Sequence, residues 1–105
     1  MNTAAAEKRP PCVGTAATRP HSGRPALHRL KTWPEPFAAI ADGRKPWEMR
    51  RDDRGFQEGD VLILEEWSPE TGEYTGRVLA AEIAYLMRRR FGVPDGYVIM
   101  TLRVV

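Results

Sequence analysis

The chain has a single cysteine, Cys12, and two histidines, His21 and His28, so it can assemble neither an internal disulfide nor a conventional His/Cys zinc set. Long apolar runs are missing as well. The longest, such as Val61 to Leu64, fall far short of the roughly 20 residues a membrane-spanning helix needs. No charged start followed by an apolar stretch marks a secretory leader. At 105 residues there is room for one domain with a modest core. These absences set the expectation of a soluble cytoplasmic protein that uses no metal and no cofactor.

A strong charge of one sign is also lacking. The formal net charge is +2, from sixteen Lys and Arg against fourteen Asp and Glu. Residues 1–26 hold Lys8, Arg9, Arg19 and Arg24 against Glu7, which leaves twelve cations and thirteen acids, a net −1, in residues 27–105. Any polyanion must then be held by a local cluster and not by the field of the whole domain.

Residues 1–26 contain Pro10, Pro11, Pro20 and Pro25 and no aromatic or long aliphatic side chain to offset the entropy of ordering, so they read as a disordered tail. A polyanion-grabbing arm is the competing reading, against which the four cations are unclustered. A further reading starts translation later, at a codon such as that of Val13.

Residues 27–105 read as the folded domain. Leu27 to Trp33 suggests a first strand. Thr32-x-x-Glu35 has capping-box spacing, with Pro34 and Pro36 in the first turn of a helix that runs to about Asp42. Phe37, Ile40 and Ala41 form its apolar face, and Gly43 supplies the left-handed residue that ends it. Residues 46–51 read as a strand whose alternation puts Trp47, Met49 and Arg51 on one face and Glu48 and Arg50 on the other. Trp47, opposite Glu48, is expected in the core. The Val61 to Leu64 run suits a strand covered on both sides, hence a closed barrel. Ser68 to Gly72 makes a hairpin connection, Arg77 to Leu86 a long strand candidate, where Leu79 to Ala84 is equally helical by propensity and the turn-rich segments on both sides favour strand, and Tyr97 to Val105 the last one.

The densest chemistry lies in Gly43-Arg44-Lys45-Pro46-Trp47-Glu48-Met49-Arg50. Gly43, Lys45, Glu48 and Arg50 fill the pattern Gly-x-Lys-x-x-Glu-x-Arg, which resembles the signature of the ASCH domain, a branch of the PUA-like superfamily of small barrels associated with RNA. The likeness continues through Leu30-Lys31-Thr32-Trp33-Pro34, Gly59-Asp60-Val61-Leu62, Glu73-Tyr74-Thr75-Gly76-Arg77 and Gly96-Tyr97-Val98-Ile99. Over residues 27–105 the chain looks like a small ASCH-type family of bacterial and phage proteins of unassigned function. The resemblance implies an α+β, mainly β fold: a small mixed β-barrel with one main helix packed outside, and a cleft between them lined by the signature.

Glu48 and Arg50, about 6.6 Å apart on one strand face at ~3.3 Å per residue, can touch one small ligand together, with Lys45 at the mouth. A carboxylate that accepts from a base edge, beside a guanidinium that forks onto phosphate or carbonyl oxygens, reads as nucleotide recognition. The candidate ligand-binding residues are Lys31, Trp33, Lys45, Glu48, Arg50 and Arg77, the last because Arg77 after Tyr74-Thr75-Gly76 matches the pattern of the family it resembles, which implies that it reaches the same cleft. Competing structural readings make Glu48 and its cations an ion pair at one barrel end, Trp33 a hydrophobic staple, Arg88-Arg89-Arg90 a solvated edge, and Asp52-Asp53 a turn.

The expected function is an RNA- or nucleotide-binding module. Some ASCH-type proteins are amidohydrolases of acetylated cytidine, and the resemblance then implies Lys45 as the catalytic lysine, with Glu48 as a base. Those enzymes carry a Thr nucleophile three residues after the Lys, where this chain has Glu48. A phage or host regulatory module that binds another protein is the third alternative.

Overall fold

The computed structural model describes residues 25–105, so the tail expected over residues 1–26 lies outside the described residues except at its end. Ala26 belongs to the fold: its N–H donates to Asp60 Oδ1 at 3.1 Å and its carbonyl accepts from Val61 at 2.9 Å.

The elements follow in the order β1 (Leu27–Thr32), α1 (Pro34–Ala41), β2 (Trp47–Arg51), β3 (Val61–Ser68), β4 (Glu73–Arg88) and β5 (Tyr97–Val104). They form one mixed sheet in the order β1-β3-β4-β5-β2, curled into a half-barrel. β1 runs parallel to β3, with Leu27 opposite Val61 and Thr32 opposite Glu66. The remaining pairings are antiparallel, and β2 reaches β5 with Trp47 opposite Thr101. The expected mainly β architecture with one outer helix is observed.

Closure differs from expectation. β1 and β2 are the two edges of the sheet, and no backbone ladder joins them. In the parallel ladder every second residue of β1 turns its main-chain groups away from β3. The outward carbonyls of Arg29 and Lys31 accept instead from Arg54 Nη1 at 2.7 Å and Arg50 Nη2 at 2.8 Å. Two guanidinium groups thus bridge the seam where a closed barrel would have ladder bonds.

The core fills the concave side. Leu30, Leu62, Leu64, Ile83, Val98 and Met100 alternate inward from their strands, and Phe37 and Ile40 of α1 close over them. β3 alternates between buried and half-buried positions, so the Val61 to Leu64 run is not covered on both faces. Phe56, from the β2–β3 connection, is fully buried.

Two local expectations are corrected. Trp33, not Thr32, is the N-cap of α1, and no side chain caps the helix. Thr32 is buried on the inner face of β1, where its hydroxyl donates to the Leu30 carbonyl at 3.3 Å; packing the strand inward takes it out of reach of the helix start. Trp47 is 43 % exposed, because the face of β2 that turns inward is the one bearing Glu48.

Candidate functional site

The exit from α1 places the first site residue. Gly43, at φ 87°, turns the chain, and the Lys45 N–H donates to the Ala39 carbonyl at 3.0 Å, which ties the lysine to the last helical turn. Arg44 is spent on Asp42 at 2.9 Å, and its hydrogen bonds hold that carboxyl below the usual aspartate range. Lys45 is left to face β2.

Glu48 is the centre of the arrangement. Its side chain is 7 % exposed and lies between Lys45 Nζ, 2.6 Å from Oε1, and Arg50 Nε, 2.6 Å from Oε2. A buried carboxylate needs such partners, since an unpaired charge in a low-dielectric interior is strongly disfavoured. Lys45 Nζ also donates to the Trp47 carbonyl at 3.0 Å and sits 4.3 Å from the Trp47 ring centroid. Arg50, having reached Glu48 through Nε, uses Nη2 on the Lys31 carbonyl and lies 3.4 Å from Thr32 Oγ1. Lys45, Glu48 and Arg50 therefore form one buried to half-buried triad at the seam.

Above the triad lies a shallow, open cleft of about 450 Å³. The seam strands and the start of α1 line it: Lys31, Thr32, Trp33 and Pro36 on one side, and Lys45, Trp47, Glu48, Met49 and Arg50 on the other. Trp33 is 55 % exposed at the rim, with its ring 6.5 Å from that of Trp67. It therefore does not act as a buried staple. Lys31 Nζ lies 4.3 Å from the Trp67 ring. The chemical character is a charge-paired floor between exposed indoles.

Five of the six expected ligand residues, Lys31, Trp33, Lys45, Glu48 and Arg50, line this cleft; Arg77 does not. Arg77 lies over the Phe37 ring at 5.0 Å and 3.6 Å from Glu66 Oε2. Glu66 was not legible as a site residue. It is a second buried carboxylate, held also by Thr75 Oγ1 at 2.7 Å, and its register partner on β1 is Thr32. The ladder slips between Glu65 and Trp67, and Gly76 at φ 93° sits in the irregular stretch. A glycine inside a strand pattern is the available signal for such a bulge.

Several charged groups away from the cleft are engaged with one another or with the main chain. Asp60, 1 % exposed, lies 2.8 Å from His28 Nε2 and accepts from the N–H groups of Ala26 and Gln57. Arg88 pairs with Asp52 and donates to the Phe56 carbonyl, so the Asp52-Asp53 segment is a braced turn. Arg89 meets Asp95 at 3.1 Å. Among the described residues no group of three His, Cys, Asp or Glu could hold a metal ion, and no helix is long and apolar enough to cross a membrane.

The fold and site define a small mixed half-barrel whose open seam carries a Lys-Glu-Arg triad. The chain belongs to the family described as Domain of unknown function (DUF3850), whose pattern it matches over residues 27–102. It is also similar to the "Uncharacterized 12.9 kDa protein in GpA 3'region" of Escherichia phage P2, 39% identical over 57 residues. That match covers 54% of this chain and 50% of the phage protein, about half the length of each.

Proposed function

We propose that this protein is an RNA- or nucleotide-binding module of the ASCH, PUA-like type, and that it captures an unpaired base in the seam cleft. The observation that carries the reading is the Glu48 carboxylate, buried between Lys45 and Arg50 at 2.6 Å each beneath the exposed Trp33 and Trp47. Each carboxylate oxygen has two acceptor sites, so Glu48 retains capacity for an amino or imino donor of a base. Lys45 and Arg50 offer further N–H groups to phosphate or carbonyl oxygens. The indoles supply stacking surface, worth about 1–3 kcal/mol per base in single-strand binders.

The test is a thermal-shift screen of nucleosides, nucleotides and short RNAs. A ligand at 100 times its Kd adds about 2.7 kcal/mol of stability, a readily measured shift. The expected result is stabilisation by at least one nucleotide or RNA, weakened or shifted to another base in Glu48→Gln. A flat response across the panel, with the protein folded, overturns the reading.

A hydrolase of a modified nucleoside such as acetylated cytidine has less support. Thr32 is the one hydroxyl residue among those lining the cleft, and its Oγ1 donates to the Leu30 carbonyl and lies 3.4 Å from Arg50 Nη2, so its hydrogen bonds go to a carbonyl and a guanidinium and not to a general base. A module that binds another protein through the same cleft is the outcome to record if proteins, and not nucleotides, are retained.

A further inference from the structure

The cleft is continuous with a second surface. Trp47 and Met49 line the cleft and also lie on the outer face of the sheet, whose opposite side is filled by the core. The registers extend this face in rows across β2, β5 and β4. Trp47 and Tyr85 both stand opposite Thr101, and Met49 and Met87 both stand opposite Ile99. In the third row Arg51 stands opposite Tyr97, with its guanidinium carbon 5.6 Å from the ring centroid.

Trp47, Met49 and Tyr85 are 43 %, 45 % and 54 % exposed. Thr101 is also exposed, whereas Ile99, Met87 and Tyr97 are half-buried. α1 packs on β3 and leaves this face uncovered among the described residues. The face therefore presents two rings, Trp47 and Tyr85, flanking a small Thr, and a third, Tyr97, two rows away, with Met49, Ile99 and Met87 in the row between.

Charge decides which partner suits it. Arg51, exposed, contacts the Tyr97 ring and has no acidic partner among the described residues, while Arg103 at the other end of β5 is paired with Glu82 at 2.8 Å. The face is thus aromatic with an uncompensated guanidinium at its edge, which matches a chain of stacked bases with phosphates alongside.

Resting on the nucleotide-binding reading above, we propose that a single-stranded nucleic acid enters the seam cleft with one base and continues across the outer face of β2, β5 and β4. Tyr97 and Tyr85 are its stacking platforms, Trp47 is shared between cleft and face, and Arg51 holds a phosphate. Trp47 and Tyr85 are separated by two strand spacings, about 10 Å, and Tyr97 lies about 13 Å along β5 from Thr101. That span accommodates about three or four nucleotides.

The experiment is a titration of the whole chain with nucleoside monophosphates and with homo-oligonucleotides of increasing length up to about eight residues, followed by tryptophan fluorescence. Affinity is expected to rise up to about four nucleotides and then level off. Tyr85→Ala and Tyr97→Ala should each weaken oligonucleotide binding about 5- to 150-fold and leave mononucleotide binding unchanged. Tyr85→Phe, which keeps the ring, should restore it.

Mononucleotide binding with no gain on lengthening overturns this inference and leaves the cleft reading intact. Failure of every nucleotide and oligonucleotide overturns both. Oligonucleotide binding unaffected by either tyrosine variant, in proteins shown to be folded by thermal melting, places the strand elsewhere and overturns it. A concentration-dependent dimer that Tyr85→Ala dissolves assigns the face to a second copy of the chain, which also overturns it.

Discussion

Arg50 donates from Nη2 to the main-chain carbonyl of Lys31 at 2.8 Å, across the gap between the two edges of the sheet. The same guanidinium holds Glu48 through Nε. One side chain thus sutures the half-barrel and charges the floor of the cleft, so structural and recognition effects of altering it cannot be separated by a single substitution.

Arg50→Ala is expected to destabilise the fold by about 1.5–3 kcal/mol, since a charge-assisted contact to a buried carboxylate and a seam bond are lost together. Urea unfolding measures it. Arg50→Lys keeps the charge without the fork and should recover only part of the loss. An unchanged midpoint in Arg50→Ala would show that the seam bridge contributes nothing to stability.

Glu48→Gln is the cleaner probe of recognition, because it preserves volume and an acceptor while removing the charge. In a binder it should change nucleotide affinity or base preference by about 1.5–3 kcal/mol, with no turnover in either form. Calorimetric titration reads this. Release of acetate from acetylated cytidine by the unaltered protein, falling about 10²–10⁴-fold in the variant, would instead make Glu48 a general base.

Much of this architecture was legible along the chain, but the orientation of β2 was not. Alternation separated Trp47, Met49 and Arg51 from Glu48 and Arg50, yet parity identifies two faces without saying which turns inward. Hydrophobicity favoured Trp47. The balance reverses because Lys45, tied to the helix end, and Arg50 both reach Glu48, and only the helix-to-strand geometry brings them there. For Arg77, a likeness of motif carries no information on the slipped register in which it meets Glu66. Gly43 was readable in advance because a helix stop is a local requirement.

Asp60 governs stability at a distance from the cleft. Asp60→Ala leaves the N–H groups of Ala26 and Gln57, together with His28, without their shared acceptor. The His28 contact is buried and the two N–H contacts are half-buried; a buried group left unsatisfied costs about 1–3 kcal/mol and a water-accessible one less, so a total loss of about 2–3 kcal/mol is expected. Thermal unfolding should show it, while affinity measured on the folded fraction stays unchanged. Reduced affinity with stability intact would move Asp60 from the scaffold to the site.

Salt should weaken nucleic-acid binding only gently. A domain with net charge −1 over residues 27–105 can neutralise few phosphates, and at about −0.7 per phosphate for single strands two or three contacts give a slope near −2. Arg89→Ala should leave affinity unchanged, because Arg89 is exposed and engaged with Asp95. A slope steeper than about −4, with a matching loss in Arg89→Ala, would indicate diffuse electrostatic association.

The seam also sets the order in which the molecule comes together. β3, β4 and β5 are sequential antiparallel neighbours, whereas β1 must find β3 across residues 33–60 and β2 must find β5 with Trp47 opposite Thr101. Long loop closures of this kind are slow to form. Strands held on one side open at lower free energy than central ones. Amide exchange should therefore be slowest in the central three strands and fastest along β1 and β2. The cleft exists only when both edges are docked, so it is expected to form last and dissolve first, and a ligand bound there should slow exchange along both edge strands, acting as a clamp on the least cooperative part of the fold.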